Sequence, residues 1–340
     1  MKAAVLERFG AGLVITEDRP VPTPRVGEIV VRTRAAGICR TDLKVIDGAI
    51  PTTPTPIVPG HEIAGDVVAV GEHVAGLEVG DRVLVSLDVT CGVCAYCIIG
   101  ERDHCAALQR LGMELDGGLA EYVRAPAINA IVLPDSLGYP EAAVIPDAVG
   151  SPYHAVVRLA RVRPGQTVAV YGLGGLGLSA VQVSVLAGAR VIAIARTTER
   201  RELALSMGAD AGIDPREGPV SDQVRSLTNG IGVDVFIDLV GIEGSSEQAV
   251  ASCRKGGQVI VLGYNVPRLD VPMMRLVYDE VIVRGSRGST KQDLLEVVDL
   301  VASGRISPVI GRRLGLDQIN PALDALREGE VIGRTVVEFP

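Results

Sequence analysis

Thr167-Val168-Ala169-Val170-Tyr171-Gly172-Leu173-Gly174-Gly175-Leu176-Gly177 is the stretch whose reading decides the fold. Its first five residues form an apolar, β-rich run that ends at a glycine, the pattern of a strand buried on both faces. Gly172 to Gly177 then matches G-x-G-x-x-G, and Leu178, Val181 and Val185 follow at the spacing by which a helix faces a sheet. Gly172 permits the tight turn, Gly174 lets the backbone approach a pyrophosphate, and Gly177 lets helix and strand pack closely. Gly175 and Leu176 open the helix on whose N-terminus the pyrophosphate rests. A second strand at residues 190–195 completes the order strand, turn, helix, strand, which predicts a dinucleotide site.

The tip of that second strand chooses between cofactors. An acidic residue there accepts the ribose hydroxyls of NAD, but this chain reads Ala195-Arg196-Thr197 with Arg200 close behind. Without a carboxylate to repel a 2′-phosphate, and with Arg196, Thr197 and Arg200 supplying charge and donors, the pattern favours NADP over NAD. The alternative is two solvated arginines at a helix start and unselective NAD binding. Further strand-like runs follow at 233–239, 258–263 and 281–285, with helices near 199–207 and 245–253, and six parallel strands are the expected count. Thr290 to Asp293 reads as a capped helix start, with Leu294, Val297, Val298 and Val301 as the apolar face and Gly304 as the stop. Cys253, placed on a helix, is expected to be a packed core thiol.

The 340 residues exceed what one core usually supports, so two domains are expected. A formal charge of −8 argues against nucleic acid or an anionic membrane surface as a partner. The charge-free residues 167–189 are long enough to raise the question of a membrane span. However, five glycines with Ser179, Gln182 and Ser184 break the stretch into strand, turn and helix. The first eight residues lack a signal-peptide core, so a cytoplasmic protein is expected. Six cysteines, four of them between 91 and 105, indicate metal chemistry in a reducing compartment rather than a disulfide framework.

Residues 1–90 read as β-rich, with strands at 28–33, 63–70 and 81–85. Pro51, Pro54, Pro56 and Pro59 make a stiff loop running into His61. Cys39, His61 and Glu62 offer a thiol, an imidazole and a carboxylate, ligand types that zinc selects. A set of two or three such ligands leaves at least one coordination position open for substrate. Taken alone, a cysteine and a histidine at this separation are more often ordinary buried side chains. Cys91, Cys94, Cys97 and Cys105, separated by two, two and seven residues, can close on one tetrahedral ion, a structural zinc with every position filled. An iron–sulfur cluster is the rival, but the last spacing is too long for the bacterial ferredoxin pattern and no proline follows Cys105.

These features, in this order and at these spacings, resemble the zinc-dependent alcohol dehydrogenases of the medium-chain dehydrogenase/reductase superfamily along the whole chain. The resemblance implies an α/β protein. A GroES-like, β-rich catalytic domain would be formed by residues 1–150 and 286–340, with the structural zinc lobe at 91–105. A Rossmann, doubly wound parallel-sheet cofactor domain would occupy residues 151–285. It further implies two zinc ions per chain, the catalytic one held by Cys39, His61 and Asp147. Thr41 takes the alcohol proton, Asp42 fixes the His61 tautomer, Glu62 is a supporting or exchangeable ligand, and Arg40 and Arg334 grip the cofactor pyrophosphate. Some relatives carry a relay histidine three residues after the hydroxyl residue. This chain has Lys44 there, so Lys44 or water completes the proton path.

The expected activity is reversible hydride transfer between a primary or secondary alcohol and NADP, in a homodimer or homotetramer, with Leu87 and the loop 46–56 shaping the pocket. Rival readings are an NAD-linked polyol, amino-alcohol or acyl-CoA-linked zinc dehydrogenase, and a catalytically silent dinucleotide-binding protein. The zinc-free quinone-reductase branch lacks both the cysteine lobe and the catalytic ligands.

Overall fold

The computed structural model describes residues 1–266 and 268–340. Its internal contacts divide the chain into Met1–Ala148 with Ser289–Pro340, and Val149–Gly288.

In the first unit a seven-stranded sheet is built around the long strand Glu28–Ile38. This strand pairs antiparallel with Glu62–Val70, with Tyr122–Pro126 and with Arg334–Glu338. It runs five residues past the expected end at residue 33 because Arg32 and Arg34 interrupt the apolar run without breaking the pairing. Two register shifts against Glu62–Val70 absorb the irregularity. The strand delivers the chain to Cys39, which starts the short helix Arg40–Ile46. The strand Arg334–Glu338 reaches this sheet from the far end of the sequence, so Thr335 stands opposite Ile38. The proline-rich loop is tied down rather than loose. Val58 N–H donates to Asp116 Oδ1, while the N–H groups of Gly117, Leu119 and Gly118 donate to Val58, Pro59 and Gly60.

The second unit carries six parallel strands in the spatial order Ala211–Ile213, Arg190–Ile194, Thr167–Tyr171, Val233–Asp238, Cys253–Val261, Ile282–Gly285. The strand order reverses beside Thr167–Tyr171, the place where open α/β sheets bind ligands at their strand carboxyl ends. Val168, Ala169 and Val170 are fully buried, as the apolar run required. The helix Gly175–Leu186 follows the glycine loop, so the charge-free stretch is split as expected. Among the described residues no helix is long and apolar enough to cross a membrane.

Cys253 corrects its helical placement. The helix Ser245–Ser252 ends one residue earlier and Cys253 opens a strand, because Gly256 and Gly257 just beyond cannot sustain a helix. Its thiol is nonetheless buried, and burial pushes its pKa up to about 12. Thr290 caps the helix Lys291–Ala302 as expected: its Oγ1 accepts from Asp293 N–H, and its own N–H donates to the Asp293 carboxylate.

Candidate active site

Cys39 leaves the long strand with an extended backbone and caps the helix Arg40–Ile46. Asp42, fully buried in the first turn, serves two partners: Oδ2 accepts from Cys39 N–H at 2.8 Å, and Oδ1 lies 3.2 Å from His61 Nδ1. One carboxylate therefore fixes the backbone of one candidate ligand and the ring of the other. Asp147 enters from a single π-helical turn, Ile145–Val149, that follows the helix Tyr139–Val144. Pro146 lies within this turn, and its carbonyl accepts from Ser289 Oγ at 3.2 Å. Such widened turns recur at functional sites.

Cys39 Sγ lies 3.2 Å from Asp147 Oδ2, and His61 Nε2 lies 3.8 Å from the same oxygen. The ligand atoms of the three residues all fall within 4.8 Å of one another. A tetrahedral ion with bonds of about 2.0–2.3 Å has ligand–ligand edges of roughly 3.3–3.8 Å, so the donor set suits zinc. The Thr41 hydroxyl is 3.7 Å from Cys39 Sγ. Lys44 follows Thr41 by three residues on the same short helix, while Arg40 at the helix start is exposed.

The electrostatics point the same way. Cys39, Asp42, Glu62 and Asp147, four acidic groups, are gathered around one imidazole and one guanidinium, an arrangement that favours an added cation. Burial works against the charge of Asp147, yet His61 and Arg334 hold its carboxyl well below the usual carboxylate range. Burial likewise opposes a charged His61, but Asp42 and the contacts with Asp147 and Cys39 raise its pKa well above normal. Glu62 is pushed up to about 7, chiefly by burial, with Arg334 opposing and Asp147 adding to the rise.

Arg334, expected to grip the cofactor pyrophosphate, has its guanidinium among the acidic groups of the site. It is 6 % exposed, its Nε donates to Glu62 Oε1 at 2.9 Å, and its Nη2 donates to Asp147 Oδ2 at 2.6 Å. The reason is the sheet: pairing of Arg334–Glu338 with Glu28–Ile38 sets Arg334 beside the acidic cluster, where its charge is needed. Gly37, unnoticed in the sequence, makes room for this pair, since a Cβ there would stand 1.8 Å from Glu62 Oε2.

Cys91, Cys94, Cys97 and Cys105 form a second cluster, with Cys105 Sγ 3.5 Å from Cys91 Sγ and 3.9 Å from Cys94 Sγ. Both distances are close to the edge of roughly 3.8 Å of a tetrahedron with bonds of about 2.3 Å, so the four thiols could hold one zinc ion.

In the second unit Gly172 has φ +102°, and a Cβ on Gly177 would lie 1.8 Å from Gly172 O. At Gly174, by contrast, a Cβ would meet nothing within 4 Å. Among the described residues no atom requires glycine at that position; a ligand approaching the backbone would. Arg196 and Thr197 are exposed at the tip of the strand Arg190–Ile194, and Arg200 is half-buried in the following helix, Thr198–Ser206.

Residues 25–135 match the alcohol dehydrogenase GroES-like domain, and residues 175–303 match the zinc-binding dehydrogenase domain. An alcohol dehydrogenase of Geobacillus stearothermophilus is 35 % identical over 342 residues, covering 99 % of each chain. This chain belongs to the zinc-dependent alcohol dehydrogenases of the medium-chain superfamily. Among solved structures, an NAD-dependent alcohol dehydrogenase superposes with TM-score 0.95 at 32 % identity over 100 % of both chains. A zinc-binding dehydrogenase of Sinorhizobium meliloti 1021, bound to NADP, does so with TM-score 0.90 at 32 % identity over 99 % of each. Membership makes the protein an alcohol oxidoreductase that uses zinc and a nicotinamide cofactor. The GroES-like and Rossmann architectures are those of the family.

Proposed function

We propose that the protein is an NADP-linked zinc dehydrogenase that interconverts a primary or secondary alcohol with its aldehyde or ketone. The convergence of Cys39, His61 and Asp147 beside the Thr41 hydroxyl carries this reading. Those three residues would hold the catalytic zinc, and the four cysteines of residues 91–105 a structural one. Zinc supplies Lewis acidity that lowers the pKa of an alcohol hydroxyl and polarises a carbonyl. A nicotinamide dinucleotide, resting on Gly172, Gly174, Gly175, Leu176 and Gly177, supplies the hydride acceptor or donor.

The chain's own groups manage orientation and the proton. Thr41 Oγ1 accepts the substrate hydroxyl proton and passes its own outward. Lys44, one turn further along the helix, takes it on, since burial and Arg40 lower its pKa to about 8 against the opposing pull of Cys39. Asp42 keeps the His61 ring and the Cys39 backbone in place. Arg334 neutralises Glu62 and Asp147 so that both remain inside the fold. Glu62 Oε2 is buried without a hydrogen-bond partner, which suits a group that moves toward the ion during exchange of ligands.

The absence of an acid at Arg196-Thr197 supports NADP. The NAD-dependent relative favours the second reading, an NAD-linked dehydrogenase of the same family. The six cysteines, none in a disulfide, suit a cytoplasmic setting. Exposed Met273, Met274, Val277 and Tyr278 beside the sheet-edge strand Ile282–Gly285 support association with further copies of the chain.

The test is a zinc count paired with turnover. As isolated, the protein should carry two zinc ions and oxidise NADPH with a panel of aldehydes. Asp147→Ala should carry one and lose nearly all turnover. Retention of two ions by an inactive variant would remove Asp147 from the ligand set.

A further inference from the structure

The strands Arg190–Ile194 and Ala211–Ile213 lie side by side and parallel, with Ile194 opposite Ile213 and Ala195 N–H donating to Ile213 O at 3.1 Å. The residues that follow them, Arg196 on one and Asp214, Pro215 and Arg216 on the other, therefore emerge together at the carboxyl end of the sheet. Arg216 Nη2 donates to Arg196 O at 2.5 Å and to Asp214 Oδ2 at 2.6 Å, and Arg216 Nε donates to Asp214 Oδ1 at 3.0 Å. Asp214 is 6 % exposed and also accepts from Arg201 Nη1 at 3.0 Å and from Arg216 N–H at 3.0 Å. Arg201 is spent locally, because the same Nη1 donates to Ala195 O and Nη2 donates to Thr198 Oγ1.

A carboxylate surrounded in this way has no lone pair left for ribose hydroxyls, and the two guanidiniums more than cancel its charge. Asp214 instead acts as an anchor. It holds Arg216 against the backbone of Arg196 while the Arg216 side chain stays 65 % exposed. The surplus positive charge thus sits at the strand tip where the adenosine ribose of a dinucleotide is read.

We propose that Arg216, anchored by Asp214, is a further specificity-determining residue that contacts the 2′-phosphate of NADP alongside Arg196. The proposal rests on the NADP reading above and adds a residue to it from a different strand. A charge-assisted contact of this kind changes affinity by about tenfold or more.

The experiment compares adenosine 2′,5′-bisphosphate with 5′-AMP by calorimetric titration of the zinc-loaded protein. The two ligands differ only in the group at issue, and no turnover is needed. Wild type should prefer the bisphosphate. Arg216→Ala should weaken the bisphosphate about tenfold while leaving 5′-AMP within about twofold, and Arg216→Lys, which keeps the charge, should recover part of the loss. The kcat/KM ratio of NADPH to NADH should fall in parallel, and thermal melting of both variants should show that the loop is intact. Equal weakening of both ligands would make Arg216 a loop support and overturn the proposal. An unchanged preference in Arg216→Ala would overturn it while leaving the NADP reading standing on Arg196 and Arg200. A wild type that binds both ligands equally would overturn the NADP reading and this proposal with it.

Discussion

Arg334 shows what a single buried charge does here. Its guanidinium lies between Glu62 and Asp147, and removing one partner from such a cluster leaves uncompensated charge, at a cost of roughly 3–5 kcal/mol. Arg334→Met should therefore lower unfolding stability by about 3 kcal/mol. The loss should be larger after chelation, when no cation substitutes for the guanidinium. Urea denaturation with and without chelator measures both, and a change under about 1 kcal/mol would show that the pair is neutralised by other means.

Lys44 makes a second residue-scale prediction. With its pKa lowered to about 8, the neutral amine that accepts a proton is a minor form at pH 7 and dominates only above 8. Alcohol oxidation should rise with pH through this range and carbonyl reduction should fall. Lys44→Gln should flatten that limb of the kcat/KM profile, whereas a profile unaltered by the substitution would assign the proton path to water.

At this scale the sequence was readable where chemistry was local. The cysteine lobe stands out by residue type and spacing, while Cys39 and His61 were candidates by residue type that only the resemblance along the whole chain singled out. The partners of Arg334 do not, because 272 residues separate it from Glu62 and only sheet pairing brings them together. Arg216 was passed over for a similar reason: its value lies in standing beside Arg196, 20 residues earlier, on a neighbouring strand.

Elements differ in how far local pattern determines them. The glycine loop and its flanking strand and helix follow from periodicity and turn chemistry, and the Thr290 cap from one hydroxyl and one carboxylate three residues apart. The π-helical turn at Asp147 carries no such pattern, since apolar residues on both sides read equally well as ordinary helix. The two loop glycines should separate folding from binding. Gly177→Ala places a Cβ against the Gly172 carbonyl, which cannot yield, and should lower the melting temperature by several degrees. Gly174→Ala has room in the protein itself, so its melting temperature should hold while dinucleotide affinity falls. Differential scanning calorimetry and cofactor titration read the two effects apart, and a Gly174→Ala protein that binds normally would mean the backbone there does not approach the ligand.

For the molecule as a whole, the α/β class was legible in composition and in the alternation of strand and helix, whereas the two-domain expectation came from length alone and its discontinuous first domain from family resemblance alone. No local pattern marks Arg334–Glu338 as the neighbour of Glu28–Ile38, because either sequence would pair as readily elsewhere. The exposed apolar side chains of Met273, Met274, Val277 and Tyr278, next to the sheet-edge strand Ile282–Gly285, belong to the same scale. Sedimentation should find a dimer or tetramer. Val277→Glu together with Tyr278→Glu should shift it toward monomer, and a monomeric wild type would refute association through this face.

The strand bearing Arg334 also bears on biosynthesis. Cys39, His61, Glu62 and Asp147 all leave the ribosome well before Arg334 is made, so a nascent chain carries the anionic side of the basin without its counter-charge. A chain cut before Arg334 would have to bury Glu62 and Asp147 without their partner, so such a truncation should be recovered folded far less well than the full chain.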